Sequence, residues 1–313
     1  MQISLAPLQG YTEYPFRNAM NSIIGGVDKY YSPFLRFEND SSIKNKYIKD
    51  ILPENNNSVN LVPQILTNNT QEFLQFINIV KDFGYKEVNW NLGCPFTPVV
   101  KRKLGSGLLA YPETIDKILS EVFNKVDINI SVKLRSGYLA DTEIFDVINI
   151  LNKYNLSEII YHPRIGKQQY KGFADIEMFK KIVKLSENKI SYNGDITSID
   201  NFNNIKNQLI GVDSFMIGRG FLQNIFLAKE IKIKKTVSKE EKTVLFDKFH
   251  NHLFNHYSKS LSGDTHILNK MIHYWEYFSS MFTESKKIYK IIKKSKTVDK
   301  YLKNVSVIIN EKF

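Results

Sequence analysis

Short runs of β-branched and aromatic residues alternate with amphipathic stretches through the first 230 residues of the chain. In residues 70–82, apolar side chains recur at the spacing that places Phe73, Phe76 and Val80 on one face of a helix. The same pattern predicts further helices over 112–123, 141–153, 175–185 and 198–206. The runs between these stretches predict strands over 3–6, 28–31, 60–66, 87–91, 129–135, 158–162, 189–193 and 213–217.

Alternation of strand and helix predicts a parallel sheet whose faces are covered by helices. Eight repeats predict an α/β protein with a (β/α)8 TIM barrel, a fold of about 250 residues. The chain, with 313 residues, has room for this barrel and an appendage. A doubly wound open sheet is the rival arrangement. Polar residues follow nearly every predicted strand, and they favour the barrel, because a barrel brings all carboxyl ends of its strands to one mouth.

The pattern changes after residue 235. Apolar residues recur every four positions from Leu245 to Tyr257, and Ser238 with Glu241 predicts a capping box at the start of this helix. Further helices are predicted over 265–281, 284–294 and 298–311. We therefore predict a barrel domain over residues 1–235 and a small C-terminal α-helical bundle domain over residues 236–313.

Composition restricts the class of protein. Hydrophobic residues make up 42% of the chain, and the sequence has no uncharged apolar run of about 18 residues that would predict a membrane span. The first residues lack a basic segment followed by an apolar run, so we expect a cytoplasmic protein that does not bind membranes. A single cysteine excludes an internal disulfide and a thiolate-rich metal site. His252 and His256 are four residues apart but lack an adjacent glutamate and a third ligand, so we expect no metal.

The net charge of +11 is unevenly distributed. Residues 231–313 contain 17 Lys and 8 Asp or Glu, a surplus of +9, which leaves +2 for residues 1–230. A basic appendage on a nearly neutral body predicts a polyanionic partner. Nucleic acid is favoured over membrane, because no predicted helix pairs a basic face with a strongly apolar one. The alternative is a solvated surface in a chain that is rich in Lys, Asn and Ile throughout.

The segment EVNWNLGCPFTPVVKRKLGSGLL, residues 87–109, has the features of a reactive site. Cys94 follows the carboxyl end of a predicted strand, where α/β proteins hold their reactive groups. Gly93 and Pro95 flank the thiol, and the basic run 101–103 follows in a loop that we expect to be solvated and mobile. The alternative for Cys94 is a small buried hydrophobe, which is the usual role of a free cysteine.

Two further features suit an anionic ligand. Gly194, Gly218 and Arg219 follow the last two predicted strands, where glycines let backbone N–H groups approach phosphate oxygens and arginine supplies charge. An ordinary tight turn is the alternative. Lys133 alternates with the apolar residues of its strand, so it points into the barrel and needs an anionic partner there.

A flavin mononucleotide fits both features. Its phosphate would lie at the last two loops, and its N1–O2 edge would lie beside Lys133, which would stabilise the reduced anion. Residues 105–110, GSGLLA, match a dinucleotide-binding pattern but follow a basic loop rather than a strand, so they do not predict a bound dinucleotide. We expect a nicotinamide cofactor to bind only transiently.

These residues resemble the tRNA-dihydrouridine synthase family, whose members are flavin enzymes with a barrel and a C-terminal helical domain. The resemblance runs the length of the barrel, and its most specific part is the Gly-Cys-Pro followed by GSGLL. The matching stretches are APLQGYTEYPFR, NLGCPFTPVVKRKLGSGLL, SVKLRSG, YHPR, YNGDI and MIGRGFL. The resemblance implies that NADPH or NADH reduces FMN, that the flavin N5 gives hydride to C6 of a uridine in tRNA, and that a cysteine protonates C5.

Residue roles follow from position in these motifs. Cys94 would be the catalytic acid, and an unperturbed thiol with a pKa of about 8.5 is mostly protonated at neutral pH. The resemblance implies flavin contacts from Pro7, Leu8, Gln9, Gln64, Lys133, His162, Asn193, Gly194, Asp195, Gly218 and Arg219. It implies uracil or tRNA contacts from Asn91, Lys101, Arg102, Lys103 and Arg135, alongside the basic helical domain. We expect a monomer.

The sequence departs from the family pattern at two positions. Pro163 separates His162 from Arg164 where a small residue is more frequent, and Leu8 replaces a frequent Met. Two other functions share parts of the pattern. A flavin barrel acting on a small metabolite, as in dihydroorotate-type oxidoreductases, leaves the basic bundle and the 101–103 loop unexplained. A non-catalytic RNA-binding protein would need no flavin.

Overall fold

The computed structural model describes residues 1–38 and 42–312. Within these residues, nine strand segments form one sheet in which every paired neighbour is parallel. The segments are β1 (Gln2–Leu5), β2 (Lys29–Tyr31), β3 (Leu61–Val62), β4 (Gln64–Ile65), β5 (Glu87–Leu92), β6 (Asn129–Gly137), β7 (Glu158–Ile165), β8 (Ile190–Asn193) and β9 (Ser214–Ile217). Their order is β3-β2-β1-β9-β8-β7-β6-β5-β4.

β3 and β4 are two halves of one predicted strand, separated by Pro63. Proline has no N–H to donate and therefore interrupts the ladder. Its carbonyl oxygen still accepts a hydrogen bond of 2.9 Å from the N–H of Asn89 in β5. Because β3 pairs with β2 and β4 pairs with β5, this interrupted strand joins the two ends of the sheet. The predicted TIM barrel is confirmed, with eight strand positions, and the doubly wound alternative is wrong.

The strands of the barrel present different residues to its two sides. In β6, Ile130, Val132 and Leu134 belong to the large core between strands and helices. Lys133 and Arg135 alternate with them and face the inside, as the period of a strand requires. A separate apolar cluster fills the middle of the barrel and consists of Ala6, Tyr31, Val62, Ile160 and Met216. The mouth of the barrel therefore has a packed floor.

Helices cover the outside of the barrel. They are α1 (Tyr14–Ala19), α2 (Asn45–Ile51), α3 (Thr70–Asp82), α4 (Thr97–Val100), α5 (Pro112–Phe123), α6 (Glu143–Leu151), α7 (Ile176–Leu185), α8 (Ile199–Gln208), α9 (Arg219–Gln223) and α10 (Leu227–Ile233). The predicted ends of α3 and α5 match the structure, and those of α6, α7 and α8 lie within two residues of it. The short helices α1, α2, α4, α9 and α10 are not evident from periodicity.

Four further helices of the described chain form the C-terminal bundle, as predicted. They are α11 (Lys239–Ser260), α12 (Asp264–Phe278), α13 (Ser285–Lys293) and α14 (Val298–Lys312). Ser238 accepts a hydrogen bond of 3.2 Å from the N–H of Glu241, but the carboxylate of Glu241 pairs with Lys229, so only half of the predicted capping box forms. Among the described residues, no helix has the length and apolar character needed to cross a membrane.

The bundle packs on the loop that follows β1. The Tyr11 ring stacks on the His273 ring of α12 with centroids 4.0 Å apart, and the Lys270 amine donates to the carbonyl of Gly10 at 2.7 Å. Apolar residues of barrel and bundle belong to one hydrophobic core. The division of function at residue 235 stays a prediction, and residue 313 of the predicted bundle lies outside the described residues.

Candidate active site

A cavity of about 720 Å³ opens at the mouth formed by the carboxyl ends of the strands. This volume is within the range of about 300–1,000 Å³ that is typical of ligand pockets. The predicted site residues on its wall are Pro7, Leu8, Gln9, Asn91, Cys94, Lys133, Arg135, His162, Asn193, Gly194, Asp195, Gly218 and Arg219. The barrel therefore brings together most of the residues predicted from the sequence, although they come from six different loops and strand ends.

Cys94 is held in place by the residues around its backbone. The side-chain oxygen of Asn91 accepts hydrogen bonds from the N–H groups of Gly93 at 3.1 Å and Cys94 at 2.9 Å, which closes a turn. Gly105 approaches from the other side, and a Cβ there would lie 2.6 Å from the carbonyl oxygen of Cys94. Gly107 is equally restricted by the carbonyl oxygen of Val100, at 2.7 Å. The glycines of the GSGLLA segment therefore serve close packing.

The thiol of Cys94 lies between an apolar cluster and the cavity. Leu66, Val99 and Leu104 form this cluster, and Cys94 packs against it. Burial raises the pKa of the Cys94 thiol and outweighs the opposing effects of a backbone hydrogen bond, Arg135 and Lys133. The thiol therefore holds its proton at neutral pH.

Lys133 projects from β6 into the cavity, and its amine makes no hydrogen bond or ion pair with any described residue. Burial lowers the pKa of Lys133 to about 7, and the nearby charge of Arg135 acts in the same direction. An anion that entered the cavity beside this amine would favour its charged form.

His162, Arg164 and Asp195 form a hydrogen-bonded group on the cavity wall. The Arg164 guanidinium donates to both Asp195 carboxylate oxygens at 2.7 Å, and its Nη1 lies 3.2 Å from His162 Nε2. Burial, together with the surrounding cations, lowers the pKa of His162 well below its usual value. The ring is neutral, so Nε2 accepts from Arg164 and the proton resides on Nδ1. Arg164 thus positions both partners, and Asp195 is engaged mainly by protein groups.

Arg135 and Arg219 both lie against the ring of Tyr170. Their guanidinium carbons are 5.4 Å and 4.0 Å from the centroid of its ring. Arg135 also donates to the carbonyls of Ile165 at 3.0 Å and Gln169 at 2.7 Å. Burial lowers the pKa of Arg135 to about 10, which still leaves it charged at neutral pH. Tyr170 was not predicted, because an aromatic residue in a loop has no spacing signal.

The glycines near the predicted phosphate site differ in whether packing requires them. A Cβ at Gly220 would lie 2.0 Å from the carbonyl oxygen of Ile196, and one at Gly194 would lie 2.7 Å from the Ala174 side chain. Both positions are therefore required for packing. A Cβ at Gly218 would meet nothing closer than 3.4 Å, so packing does not require this glycine, which lies on the cavity wall.

Two amide side chains complete the wall. Gln9 donates its amide to the carbonyl of Phe34 at 2.9 Å, and Asn193 donates to the carbonyl of Met216 at 2.8 Å. Their side-chain oxygens accept no hydrogen bond from the described residues and remain free for a ligand.

Gln64 lies beneath the cavity rather than on its wall. It is fully buried, donates to Asn89 at 2.7 Å and accepts from Asn91 at 2.8 Å. Gln64 therefore acts on the site by orienting Asn91. Its direct contact with a ligand stays a prediction.

The basic run 101–103 lies on the surface after α4 and does not line the cavity. Asn68 donates to the carbonyls of Arg102 at 3.0 Å and Lys103 at 3.1 Å, so the expected mobile loop is a hydrogen-bonded turn. The Lys103 amine lies 4.2 Å from the centroid of the Tyr111 ring. Lys101 and Arg102 are exposed and make no ion pair with described residues.

The paired histidines of α11 have ordinary surroundings. His256 Nε2 lies 3.3 Å from the hydroxyl of Tyr14. No group of three or more His, Cys, Asp or Glu in the described part of the chain is placed to hold a metal ion.

Comparison with known proteins extends these observations. A profile of the family described as dihydrouridine synthase (Dus) matches residues 4–312, which includes the barrel, the cavity and the bundle. The chain belongs to the dihydrouridine synthase family. It is therefore an enzyme of the oxidoreductase class, as the resemblance implied.

Several relatives show the same affiliation. The tRNA-dihydrouridine synthase B of Pasteurella multocida is 27% identical over 237 residues, which are 75% of this chain and 70% of that protein. The tRNA-dihydrouridine(16) synthase of Aquipseudomonas alcaligenes is 27% identical over 239 residues, 74% of this chain and 75% of that protein. A probable tRNA-dihydrouridine synthase of Staphylococcus epidermidis is 27% identical over 261 residues, 82% and 78% of the two chains.

Solved structures show the barrel in more distant proteins. Histamine dehydrogenase from Rhizobium sp. 4-9 superposes with a TM-score of 0.56 at 12% identity, covering 75% of this chain and 46% of that one. A 2-naphthoyl-CoA reductase gives a TM-score of 0.55 at 10% identity, covering 75% and 50%. At these identities the likeness shows the fold alone.

Proposed function

We propose that the enzyme reduces the C5=C6 bond of a uridine in tRNA to 5,6-dihydrouridine, with FMN as its cofactor and NADPH or NADH as the reductant. The observation that carries this proposal is one cavity that holds a protonated thiol, Cys94, and a buried amine, Lys133, with no partner among the described residues. Reduction of a pyrimidine double bond needs a hydride donor and a proton donor at the same ring. The names of the relatives supply tRNA as the substrate class.

The residues of the cavity fit a flavin mononucleotide. The Lys133 amine has no partner within the described chain, and the N1–O2 edge of a flavin, which accepts hydrogen bonds and becomes anionic on reduction, would supply one. Arg219 and the open wall at Gly218 suit a phosphate. The side-chain oxygens of Gln9 and Asn193 suit ring N–H groups. When bound, the flavin would supply the hydride to C6 of the uracil.

The proton for C5 comes from Cys94 in this proposal. Its raised pKa keeps the thiol protonated until negative charge develops on the substrate. The attraction of Arg135 and Lys133 for a thiolate favours proton release once the transfer begins. Asn91 and Gly105 fix the loop, so the donor is oriented before the substrate arrives.

Exposed cations would bind the tRNA. Lys101 and Arg102 are exposed and follow α4, which begins just after the cavity-lining residue Phe96, and exposed lysines lie on the outer faces of α13 and α14. The exposed lysines on α13 and the turn after it are Lys286, Lys287, Lys290, Lys293, Lys294 and Lys296. A uridine must leave the base stack to reach a cavity of this depth, which costs a few kcal/mol. Phosphate contacts would offset this cost.

Reduction of unmodified tRNA by the purified protein tests the proposal. The protein is supplied with FMN and NADPH, and dihydrouridine is measured by mass spectrometry of the digested nucleosides. Cells that lack the protein, and cells in which it has been restored, identify the position that is reduced. Cys94→Ala should keep its flavin absorbance and lose activity by about 100-fold or more, as expected for removal of a general acid.

Ser157→Ala is a matched control, because it removes a buried hydroxyl that has no hydrogen-bond partner among the described residues and lies just before β7, at the opposite end of the barrel. Full activity of Cys94→Ala would contradict the acid role. Reduction of free uracil or orotate without RNA would instead support an enzyme of small metabolites. A purified protein that binds no flavin would leave only an RNA-binding role.

A further inference from the structure

Two loops at the rim of the cavity carry exposed aromatic rings. Phe173, between β7 and α7, is 87% exposed, and Phe96, two residues after Cys94, is 64% exposed. Both residues line the mouth. Single exposed apolar residues are ordinary on protein surfaces. Here, however, two large rings border the same opening and add little to the core.

Each ring has exposed cations near it in the chain. Lys167 and Lys171 lie in the loop of Phe173, and Lys101 and Arg102 follow Phe96 after the single turn of α4. These four cations make no ion pair with described residues. Rings interleaved with such cations match unpaired nucleic acid, because bases stack on the rings and phosphates meet the cations.

The loop that carries Phe173 is fixed at several points. Arg164 donates to the carbonyl of Gly172 at 2.6 Å, and Arg135 donates to the carbonyl of Gln169 at 2.7 Å. Asp195 accepts from the N–H of Ala174 at 2.8 Å. The side chains that shape the cavity therefore also hold the exposed ring at its rim. A ring on a fixed loop loses little conformational entropy when a base stacks on it.

We propose that Phe96 and Phe173 each stack against one of the two nucleotides that flank the reacting uridine. This inference rests on the proposed function. β5 and β7 are separated only by β6, so the two loops border one side of the mouth, with their strands roughly 10 Å apart. A uridine that reaches Cys94 has neighbours that leave the cavity over these loops. Those bases lose a stacking partner when the uridine turns out, and the rings replace it.

Binding of an unmodified tRNA transcript to the flavin-loaded protein tests this inference. Phe96→Ala and Phe173→Ala should each raise the Kd by about tenfold, as removal of a stacking platform does. The flavin content should not change. The slope of log Kd against log salt should also stay the same, because both variants keep every cation that meets a phosphate. By contrast, Lys167→Gln with Lys171→Gln should reduce that slope. Phe173→Trp, which keeps a stacking surface, should bind like the wild type.

Ile210→Ala is the matched control, because Ile210 is 93% exposed and precedes β9 at the opposite end of the barrel. A second readout is the fluorescence of 2-aminopurine placed next to the target uridine. The wild type and Phe173→Trp should quench this fluorescence. The alanine variant that lacks the ring stacked on that position should not.

If the wild type forms dihydrouridine while the alanine variants bind like Ile210→Ala, the stacking role is overturned and the proposed function stands. Loss of flavin from the alanine variants would also overturn it, since the rings would then be structural. If the wild type reduces no tRNA, the proposed function fails and the stacking role fails with it.

Discussion

The buried amine of Lys133 allows flavin binding to be tested without turnover. Its pKa of about 7 in the ligand-free protein means that about half of the molecules carry this charge at pH 7, and about one in a hundred at pH 9. A flavin whose N1–O2 edge accepts a hydrogen bond from the charged amine raises this pKa, so binding must take up a proton. The expected uptake is roughly 0.5 proton per flavin at pH 7 and roughly 0.9 at pH 8. Affinity should fall about 50-fold from pH 7 to pH 9.

Calorimetry at pH 8 in two buffers of different ionisation enthalpy measures this uptake. Riboflavin is the control ligand, because it lacks the phosphate that titrates near pH 6 in FMN. Lys133→Met should bind flavin more weakly and should abolish most of the uptake and of the pH dependence. Tight binding of riboflavin or FMN to the wild type without proton uptake would refute the placement of the amine against the N1–O2 edge.

Three further predictions concern the thiol, the lysines and the bundle. Iodoacetamide should modify only Cys94, and slowly at pH 7, because burial keeps the thiol protonated. Peptide mass spectrometry reports the modified site. Rapid alkylation would contradict the acid role. Replacing Lys286, Lys290 and Lys294 by Glu should weaken tRNA binding and reduce its salt slope by about 1 for each lysine that meets a phosphate; an unchanged slope would show that this face does not meet RNA. Burial lowers the pKa of His250 to about 4, so the unfolded chain binds more protons below pH 6.5. The contribution of His250 to the free energy of unfolding should therefore be about 2 kcal/mol lower at pH 5 than at pH 7.5. In urea titrations, His250→Gln should flatten this profile, and the exposed control His266→Gln should not.

Periodicity predicts the long elements of the fold better than the short ones. Helices α3 and α5 have 13 and 12 residues, and each buries four apolar side chains on one face, so their ends can be read from the sequence. The single turn of α4 offers no repeat to detect. The break at Pro63 does not divide the predicted strand, because apolar residues continue on both sides of it, with Leu61 and Val62 before and Ile65 and Leu66 after.

Some residues of the candidate site can be predicted from the sequence around them, and others depend on how two strands pair. Cys94 follows the end of β5, and Lys133 and His162 lie within β6 and β7, so each can be placed from its own segment of sequence. Gln64 faces inward as expected, but its depth depends on register with another strand. It pairs with Asn89, whereas Asn91 pairs with Lys133, so Gln64 lies one layer below the mouth. Register is a property of two strands, and neither sequence segment states it alone.

The contact between α12 and the loop after β1 makes the position of an amino-terminal cavity loop depend on a carboxyl-terminal helix. Leu8 and Gln9 face the cavity, and the next residue, Gly10, is held by Lys270, which lies 260 positions later in the chain. A chimera that takes its carboxyl-terminal region from a relative would need the matching amino-terminal segment as well. Without that segment, a change in the bundle that alters RNA binding would also disturb the loop that carries Leu8 and Gln9 at the cavity.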